Sequence, residues 1–297
     1  MILLTGSTGF VGTNLLGELG QRSLKVRCLA RDPARASAFL GSGCEVVRGD
    51  VTDRTSVLDA MGPDVDTVIH LVGILVEPRG VTFRQVHVEG TRNVVEACRQ
   101  RGVRRYLHIS ALGTGPGSPS EYFRTKYEAE EIIRASGLEY TIFRPSVIFG
   151  REDRFTNLFA HAIRLSPVVL VPGSGKNKMQ PVYVKDLVRA MAMSLEMEET
   201  RKRVYEIAGP VVLTFDEIID GIAGVLGRRV IKMHVPMPLM RMGAGVMEAL
   251  LPRPPLSRDS LKMLGSDNTT EQKTLEDVFG IKPTGLVEGM KTYLHLR

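Results

Sequence analysis

Cysteine is scarce in this 297-residue chain. Cys28, Cys44 and Cys98 are odd in number and lack the paired spacing of a metal site. That excludes a disulfide scaffold and a zinc module, and it predicts reduced thiols in the core of a cytoplasmic protein. No metal is expected. Long apolar runs are missing too: none approaches the roughly 20 residues needed to span a bilayer. Nor is there a long basic block. The arginines are scattered, among them Arg101, Arg104, Arg105, Arg228 and Arg229, and the net charge of +6 reads as solvated faces. Nucleic acid is therefore not an expected partner. There is no internal repeat and no low-complexity stretch. A strand beginning at residue 2 leaves no basic leader, so no secretory signal is expected. The expected location is the cytoplasm, with peripheral contact at a membrane as an addition. What remains is an ordinary globular composition, 43% hydrophobic and 24% charged, able to bury a real core.

The first twelve residues carry the main functional signal. Met1-Ile2-Leu3-Leu4-Thr5 is a short apolar run. Gly6-Ser7-Thr8-Gly9-Phe10-Val11-Gly12 follows, and an amphipathic run from Phe10 to Leu19 comes next. Strand, glycine-rich turn and helix form the context that a dinucleotide fingerprint requires. Gly6 permits the tight turn, Gly9 lets the backbone approach a pyrophosphate, and Gly12 lets helix pack on strand. The helix start adds free N–H groups and a positive dipole end.

The chain then alternates. Strands are predicted at Lys25–Leu29, Glu45–Arg48, Thr67–Leu71, Arg105–Ser110 and Tyr140–Phe143. Helices are predicted at Pro33–Leu40, Thr55–Met61, Phe83–Arg101 and Glu121–Ser136. Short apolar runs between helical patterns indicate an α/β fold, a doubly wound parallel sheet covered on both faces. Its ligand should lie beyond the carboxyl ends of the strands. After Gly150 the pattern becomes irregular and richer in Pro, Gly and Met. The expected division is a dinucleotide-binding domain over residues 1–150 and a smaller, mostly helical substrate region over residues 151–297. That region should pack onto the first domain, with some segments returning to it.

A ribose reader is expected about 20 residues after the fingerprint. Arg31 stands there, after Ala30 and before Asp32, which should cap the next helix with Pro33 in its first position. An arginine suits the 2′-phosphate of NADP, so NADP(H) is favoured over NAD(H). Asp50 and Val51 close the third strand. The Asp50 carboxylate is a candidate for the adenine amino group or for a plain strand-ending turn. Leu71, Val72 and Gly73 end the fourth strand, where small apolar residues let a cofactor lie against the backbone.

Tyr122 and Lys126 are the candidate chemistry. Four residues apart, they share a helix face. A nearby ammonium should lower a tyrosine pKa from about 10 toward working pH. A phenol so tuned passes a proton to or from a substrate oxygen while hydride moves to or from a nicotinamide. The lysine is also placed to bond the nicotinamide ribose.

These motifs together resemble the extended short-chain dehydrogenase/reductases. The resemblance rests on Gly6-x-x-Gly9-x-x-Gly12, on Tyr122-x-x-x-Lys126 after the fifth strand, on Arg144-Pro145-Ser146-Val147-Ile148-Phe149-Gly150 after the sixth, and on Gln180-Pro181-Val182-Tyr183-Val184-Lys185-Asp186. It covers most of the chain. It implies a Rossmann fold, adds Pro145 to the cofactor contacts, and implies an oxidoreductase or epimerase. Tyr122-Phe123-Arg124-Thr125-Lys126 and the tail Pro254-Pro255-Leu256-Ser257-Arg258-Asp259-Ser260-Leu261 look like the atypical branch with the NADPH-binding accessory subunit of respiratory complex I. The family's catalytic hydroxyl falls by register at Ala111, with Ser110 one place earlier as a substitute. His87 falls where the family has asparagine; its imidazole is a candidate proton relay, and alone it reads as a hydrogen-bonded structural histidine. The set is partial. Two functions stay open: a redox enzyme or epimerase acting on a carbonyl, a lipid-like quinone-related compound or a sugar nucleotide, and a cofactor-holding structural subunit.

Two other segments stand out. Gly173-Ser174-Gly175-Lys176 suggests a P-loop, but Leu170 occupies the place of its first glycine and Asn177 that of its Ser or Thr. It reads as a loop lining the substrate mouth. Residues 235–251 form a Met-rich apolar helix interrupted by Arg241 and Glu248. It reads as packing, or as a contact for a lipid-like substrate, a protein or a membrane face.

Overall fold

The computed structural model describes residues 1–40, 43–252, 254 and 256–294. Pro255 of the tail motif lies outside the described residues. The three cysteines are free thiols, with Cys28 and Cys98 buried.

Six strands and five helices alternate through the first part of the chain. They are β1 (Ile2–Thr5), α1 (Phe10–Gln21), β2 (Val26–Ala30), α2 (Pro33–Leu40), β3 (Glu45–Arg48), α3 (Arg54–Ala60), β4 (Thr67–His70), α4 (Gly90–Arg101), β5 (Arg105–Ile109), α5 (Glu121–Arg134) and β6 (Glu139–Pro145). A later strand, Arg203–Ile207, joins the edge of the same sheet. The order is Arg203–Ile207, β6, β5, β4, β1, β2, β3. Pairings from β6 through β3 are parallel. The order reverses between β1 and β4, so the connections leaving Thr5 and His70 pass to opposite faces and open a crevice there.

Local chemistry sets the boundaries. Asp53 caps α3 by accepting from the N–H groups of Thr55 and Ser56. Asp32 accepts from the Arg35 N–H at 3.1 Å and so caps α2, with Pro33 its first residue. Gly102, at φ +72°, ends α4 in the left-handed conformation that lacks a Cβ penalty. On one face of the sheet, Leu3, Val68, Tyr106 and Ile142 pack with Val94, Val95 and Cys98 of α4 and Ile133 of α5.

The described residues divide into two compact units. One comprises Met1–Arg144 with Val188–Tyr205, and the other Pro145–Leu187 with Glu206–Arg297. In the second, the longer helices are Phe155–Leu165, Phe215–Val225 and Met237–Leu250. Three two-stranded sheets accompany them. Its core contains Phe149, Ile163, Val171, Phe215, Ile219 and Met290. Thr214 and Glu217 form a reciprocal capping box at the start of Phe215–Val225.

Several expectations needed correction. The helix expected over Phe83–Arg101 is not uniform: Arg84–Glu89 winds as a π-helical turn before α4 begins. The strand Arg203–Ile207 was not expected, because Arg-Val-Tyr-Glu-Ile mixes charged and apolar residues without a clean alternation. The small sheets were also missed; two of them pair strands of only two residues. The strand expected at Tyr140–Phe143 runs from Glu139 to Pro145.

The sheet also buries polar rings. His70 shares a 2.7 Å hydrogen bond with Thr5 through Nδ1. His108 sits beside it in register, the two rings stacked 5.4 Å apart, with Tyr106 next along β5. Among the described residues, His70 Nε2, both His108 nitrogens and the Tyr106 hydroxyl have no hydrogen-bond partner. Burial pushes His70 down to about 3, and burial first, then the Lys126 ammonium, hold His87 and His108 well below the usual histidine range.

These neutral imidazoles should make the fold acid-labile. Each binds a proton near pH 6.5 when unfolded but not when folded, so the unfolded chain holds more protons and stability falls as pH falls below that value. Urea unfolding should lose about 1.4 kcal/mol per pH unit for each of them below roughly pH 6. His108→Phe should reduce the combined slope by about a third. The same slope in that variant would mean that His108 is already charged in the native state.

Candidate functional site

The fingerprint glycines make contacts that no side chain could replace. Gly6 has φ +77°, and a Cβ there would stand 3.0 Å from the Leu71 carbonyl carbon and 3.1 Å from the Val72 nitrogen. A Cβ on Gly12 would fall 2.1 Å from the Gly6 carbonyl oxygen. The third glycine therefore lets α1 sit directly on the first turn, while the first lets that turn touch the end of β4. Gly9 is the N-cap of α1, and no side chain caps it. Phe10, Val11 and Gly12 occupy the first helical positions, where N–H groups have no intrahelical acceptor. An exposed glycine before an uncapped helix start suits a diphosphate. Thr8 is exposed beside it, and Ser7 is buried.

Arg31, Asp50, Val51 and the segment Leu71 to Gly73 follow strand ends at the same carboxyl edge of the parallel sheet. Arg31 is exposed, directly after β2. Asp50 follows β3, and its Oδ1 accepts from the Thr52 N–H and hydroxyl, both at 2.9 Å. One carboxylate oxygen of Asp50 is thus used in the turn that ends the strand. Val51 is buried, and its carbonyl accepts from Asn93 at 2.9 Å. Leu71 and Val72 are half-buried and Gly73 is exposed. Pro145 ends β6, is buried and belongs to the second unit.

Gly73 connects this edge with α5. A Cβ there would stand 3.1 Å from Lys126 Nζ and 3.5 Å from His87 Nε2. Lys126 is buried, and its ammonium donates to the Ile109 carbonyl at 2.9 Å. Desolvation lowers its pKa to about 8, and Glu130 one turn along opposes that shift. Tyr122 is buried one turn before Lys126, edge-on to His87 at 5.4 Å and to Phe83 at 5.9 Å. Its pKa is raised by desolvation, contrary to the expected lowering. The expectation weighed the ammonium and not the loss of water around the phenol, which disfavours the charged form.

His87 is fixed at both nitrogens. Nε2 accepts from the Ile74 N–H at 3.1 Å, so Nδ1 carries the proton and donates to Thr125 Oγ1 at 2.9 Å. The Thr125 hydroxyl in turn donates to the carbonyls of Glu121 at 2.9 Å or Tyr122 at 3.0 Å. The neutral ring thus ties the loop after Gly73 to α5, and it has no vacant basic nitrogen with which to relay a proton. Ser110 is buried, and its hydroxyl shares a 3.3 Å hydrogen bond with Thr114. Ala111 follows it and offers no hydroxyl.

Some supporting residues were not found from the sequence. Glu130, wholly buried, accepts from Arg144 at 2.9 and 2.6 Å and from Arg134 at 2.6 Å. That fixes α5, and hence Tyr122 and Lys126, against β6. The repeated four-residue spacing Tyr122, Lys126, Glu130, Arg134 was the available signal. Thr125 and Thr114 carried none, since their partners are brought near only by folding.

The tight glycine turn and the uncapped start of α1, at the carboxyl edge of a parallel sheet, fit the diphosphate of a nicotinamide dinucleotide. The chain matches the NAD dependent epimerase/dehydratase family over residues 2–208. It is 30% identical over 290 residues to the mitochondrial NADH dehydrogenase [ubiquinone] 1 alpha subcomplex subunit 9 of Mus musculus, covering 95% of this chain and 76% of that protein. It is 30% identical over 248 residues to a ceramide reductase of Caulobacter vibrioides, covering 80% of this chain and 74% of that protein. An NADPH-dependent quinone oxidoreductase from Escherichia coli, solved with NADPH, shares the fold at TM-score 0.79 and 21% identity, over 98% of this chain and 99% of that one.

The buried ammonium should cost stability. Below about pH 8 both folded and unfolded states hold the Lys126 proton, so the cost is constant; it fades as pH rises toward 10.5, where neither state does. Without nucleotide, Lys126→Met should raise unfolding free energy at pH 7 by up to about 3 kcal/mol. The gain should shrink in urea titrations taken above pH 8. A gain that does not change with pH would mean that lost packing or strain, not the charge, sets the difference.

Proposed function

Since the chain belongs to the NAD-dependent epimerase/dehydratase family, we propose that it holds NADP(H) in preference to NAD(H) and acts on a lipid-like carbonyl compound. The observation that carries this reading is the convergence of Lys126 Nζ on the Gly73 backbone, one helical turn from Tyr122. Gly6 to Gly12 would receive the diphosphate, Arg31 the 2′-phosphate, and Asp50, Val51, Leu71 and Val72 the adenosine and nicotinamide ends. The nicotinamide supplies hydride chemistry when bound.

The chain's own residues would manage the proton. A phenol kept neutral by burial is a proton donor from the start. Lys126, lowered toward neutrality, is placed to restore that proton and to bond a ribose hydroxyl. Ser110, with Thr114 behind it, would have to serve in place of the hydroxyl missing at Ala111. The name of the ceramide reductase relative favours a lipid-like substrate over a sugar nucleotide.

A second reading is a cofactor-holding subunit with little turnover. The respiratory-chain relative favours it, as does Ala111, which leaves a substrate oxygen one donor short. Failure of every carbonyl and sugar nucleotide to react while NADPH stays bound would select it.

Arg31→Ala should weaken NADPH by roughly ten- to a hundredfold and leave NADH almost unchanged, as calorimetry would read. Equal losses for both cofactors would remove Arg31 from the site. Tyr122→Phe keeps the ring packing and deletes only the hydroxyl. It should retain cofactor binding while turnover falls by about 10²–10⁴. Reduction of ceramide-like ketones or quinones at the wild-type rate by that variant would exclude Tyr122 as donor.

A further inference from the structure

The second unit carries a helix whose apolar pattern faces the wrong way for packing. Met237–Leu250 buries Ala244 and Gly245, its small residues. Arg258 lies against Gly245, with a guanidinium nitrogen 2.5 Å from where a Cβ would stand. Leu239, Met242, Val246 and Leu250 recur at helical spacing on the other side, and each is more than half exposed. A helix stabilised only within its own unit would bury those four and expose the small residues.

The preceding strand has the same character. Ile231–Val235 pairs in parallel with Val168–Pro172, matching Ile231 with Val168, Met233 with Leu170 and Val235 with Pro172. Ile231, Met233 and Leu170 are each more than half exposed, while Val169 and Val171 of the alternate face enter the core. The ribbon leads directly into the helix, and the Met237 side chain lies 3.3 Å from where a Gly173 Cβ would stand. Exposed apolar side chains therefore recur along the chain from residue 231 to residue 250, interrupted by Lys232, His234, Arg241 and Glu248.

Charge identifies the occupant. The parallel ribbon begins where the Ile231 N–H donates to the Pro167 carbonyl at 2.7 Å. Arg164, Arg228 and Arg229 flank that end, exposed. Among the described residues, none of the three takes part in an ion pair. Of the acids nearby, Asp220 is paired with Lys232 at 2.6 Å and Glu248 with Arg258 at 3.3 Å, while Asp216 accepts from His234 at 3.0 Å and Glu217 accepts from Thr214. Three unpaired guanidiniums outnumber these two remaining carboxylates beside the apolar surface. A second copy would bring the same positive rim against it. No described helix is long and apolar enough to cross a membrane.

We infer that this ribbon and helix form a docking face for an anionic lipid surface. The apolar side chains enter the headgroup boundary and the arginines pair with lipid phosphates. Methionines at 233, 237, 240, 242 and 247 adapt to an irregular apolar contact. The inference is independent of the dinucleotide, so failure of the proposed function leaves its test intact.

The test is cosedimentation of the full chain with vesicles of phosphatidylcholine alone and of phosphatidylcholine mixed with phosphatidylglycerol, at low and high salt. Wild type should bind the mixed vesicles at low salt and lose them at high salt. The Arg228→Ala, Arg229→Ala pair should weaken binding by roughly thirtyfold. The Met242→Ser, Leu250→Ser pair should weaken it at least about tenfold. Both pairs change exposed side chains, so urea midpoints should match wild type. No binding by wild type, or equal binding by the arginine variant, overturns the inference. So does a wild-type dimer, free of vesicles, that the Met242→Ser, Leu250→Ser pair turns into a monomer, since the stripe would then serve a second copy.

Discussion

The Lys126 ammonium is almost wholly removed from water, and the Ile109 carbonyl accepts its hydrogen bond. A charge so placed needs close partners, because desolvation disfavours it. The surrounding geometry answers to that need. Ile109 ends β5, so the lysine joins α5 to the carboxyl edge of the sheet. A Cβ on Gly73 would stand 3.1 Å from Nζ, close enough that the lysine end would have to shift. Glu130 one turn along offsets part of the desolvation and is itself held by Arg134 and Arg144.

The same edge contains polar groups that a purely structural sheet would avoid. Leaving a buried donor or acceptor without a partner costs about 1–3 kcal/mol. His70, His108 and Tyr106 carry such atoms in one layer of β4 and β5. His87 differs, because both of its nitrogens are satisfied and its ring braces the loop at Ile74 against Thr125. It matches the reading of a structural, hydrogen-bonded histidine. The π-helical turn at Arg84–Glu89 is the local adjustment that contains it.

Much of the fold was legible because the signals were local. Apolar runs of four or five residues in alternation with helical patterns located β1 to β6 to within a residue or two, and the glycine spacing located the first turn. Asp32 and Pro33 announced the start of α2. The edge strand Arg203–Ile207 was hidden because half-exposed strands mix charge with apolar residues. The two-residue strands were hidden because so short a segment has no period. The Tyr122 expectation failed on electrostatics: spacing identifies the neighbouring charge, but burial is a property of the assembled core.

The sequence by itself determined the order of β1 to β6 and the helices between them, the glycine turn and the Tyr122–Lys126 face, since each depends on residues close together along the chain. Only the tertiary structure decided what those residues meet. Gly73 to Lys126, His87 to Thr125, Glu130 to Arg144 and Ser110 to Thr114 are contacts set by how strands and helices pack. Protonation was decided there as well, because desolvation exists only once a core has closed around Tyr122, Lys126 and the histidines.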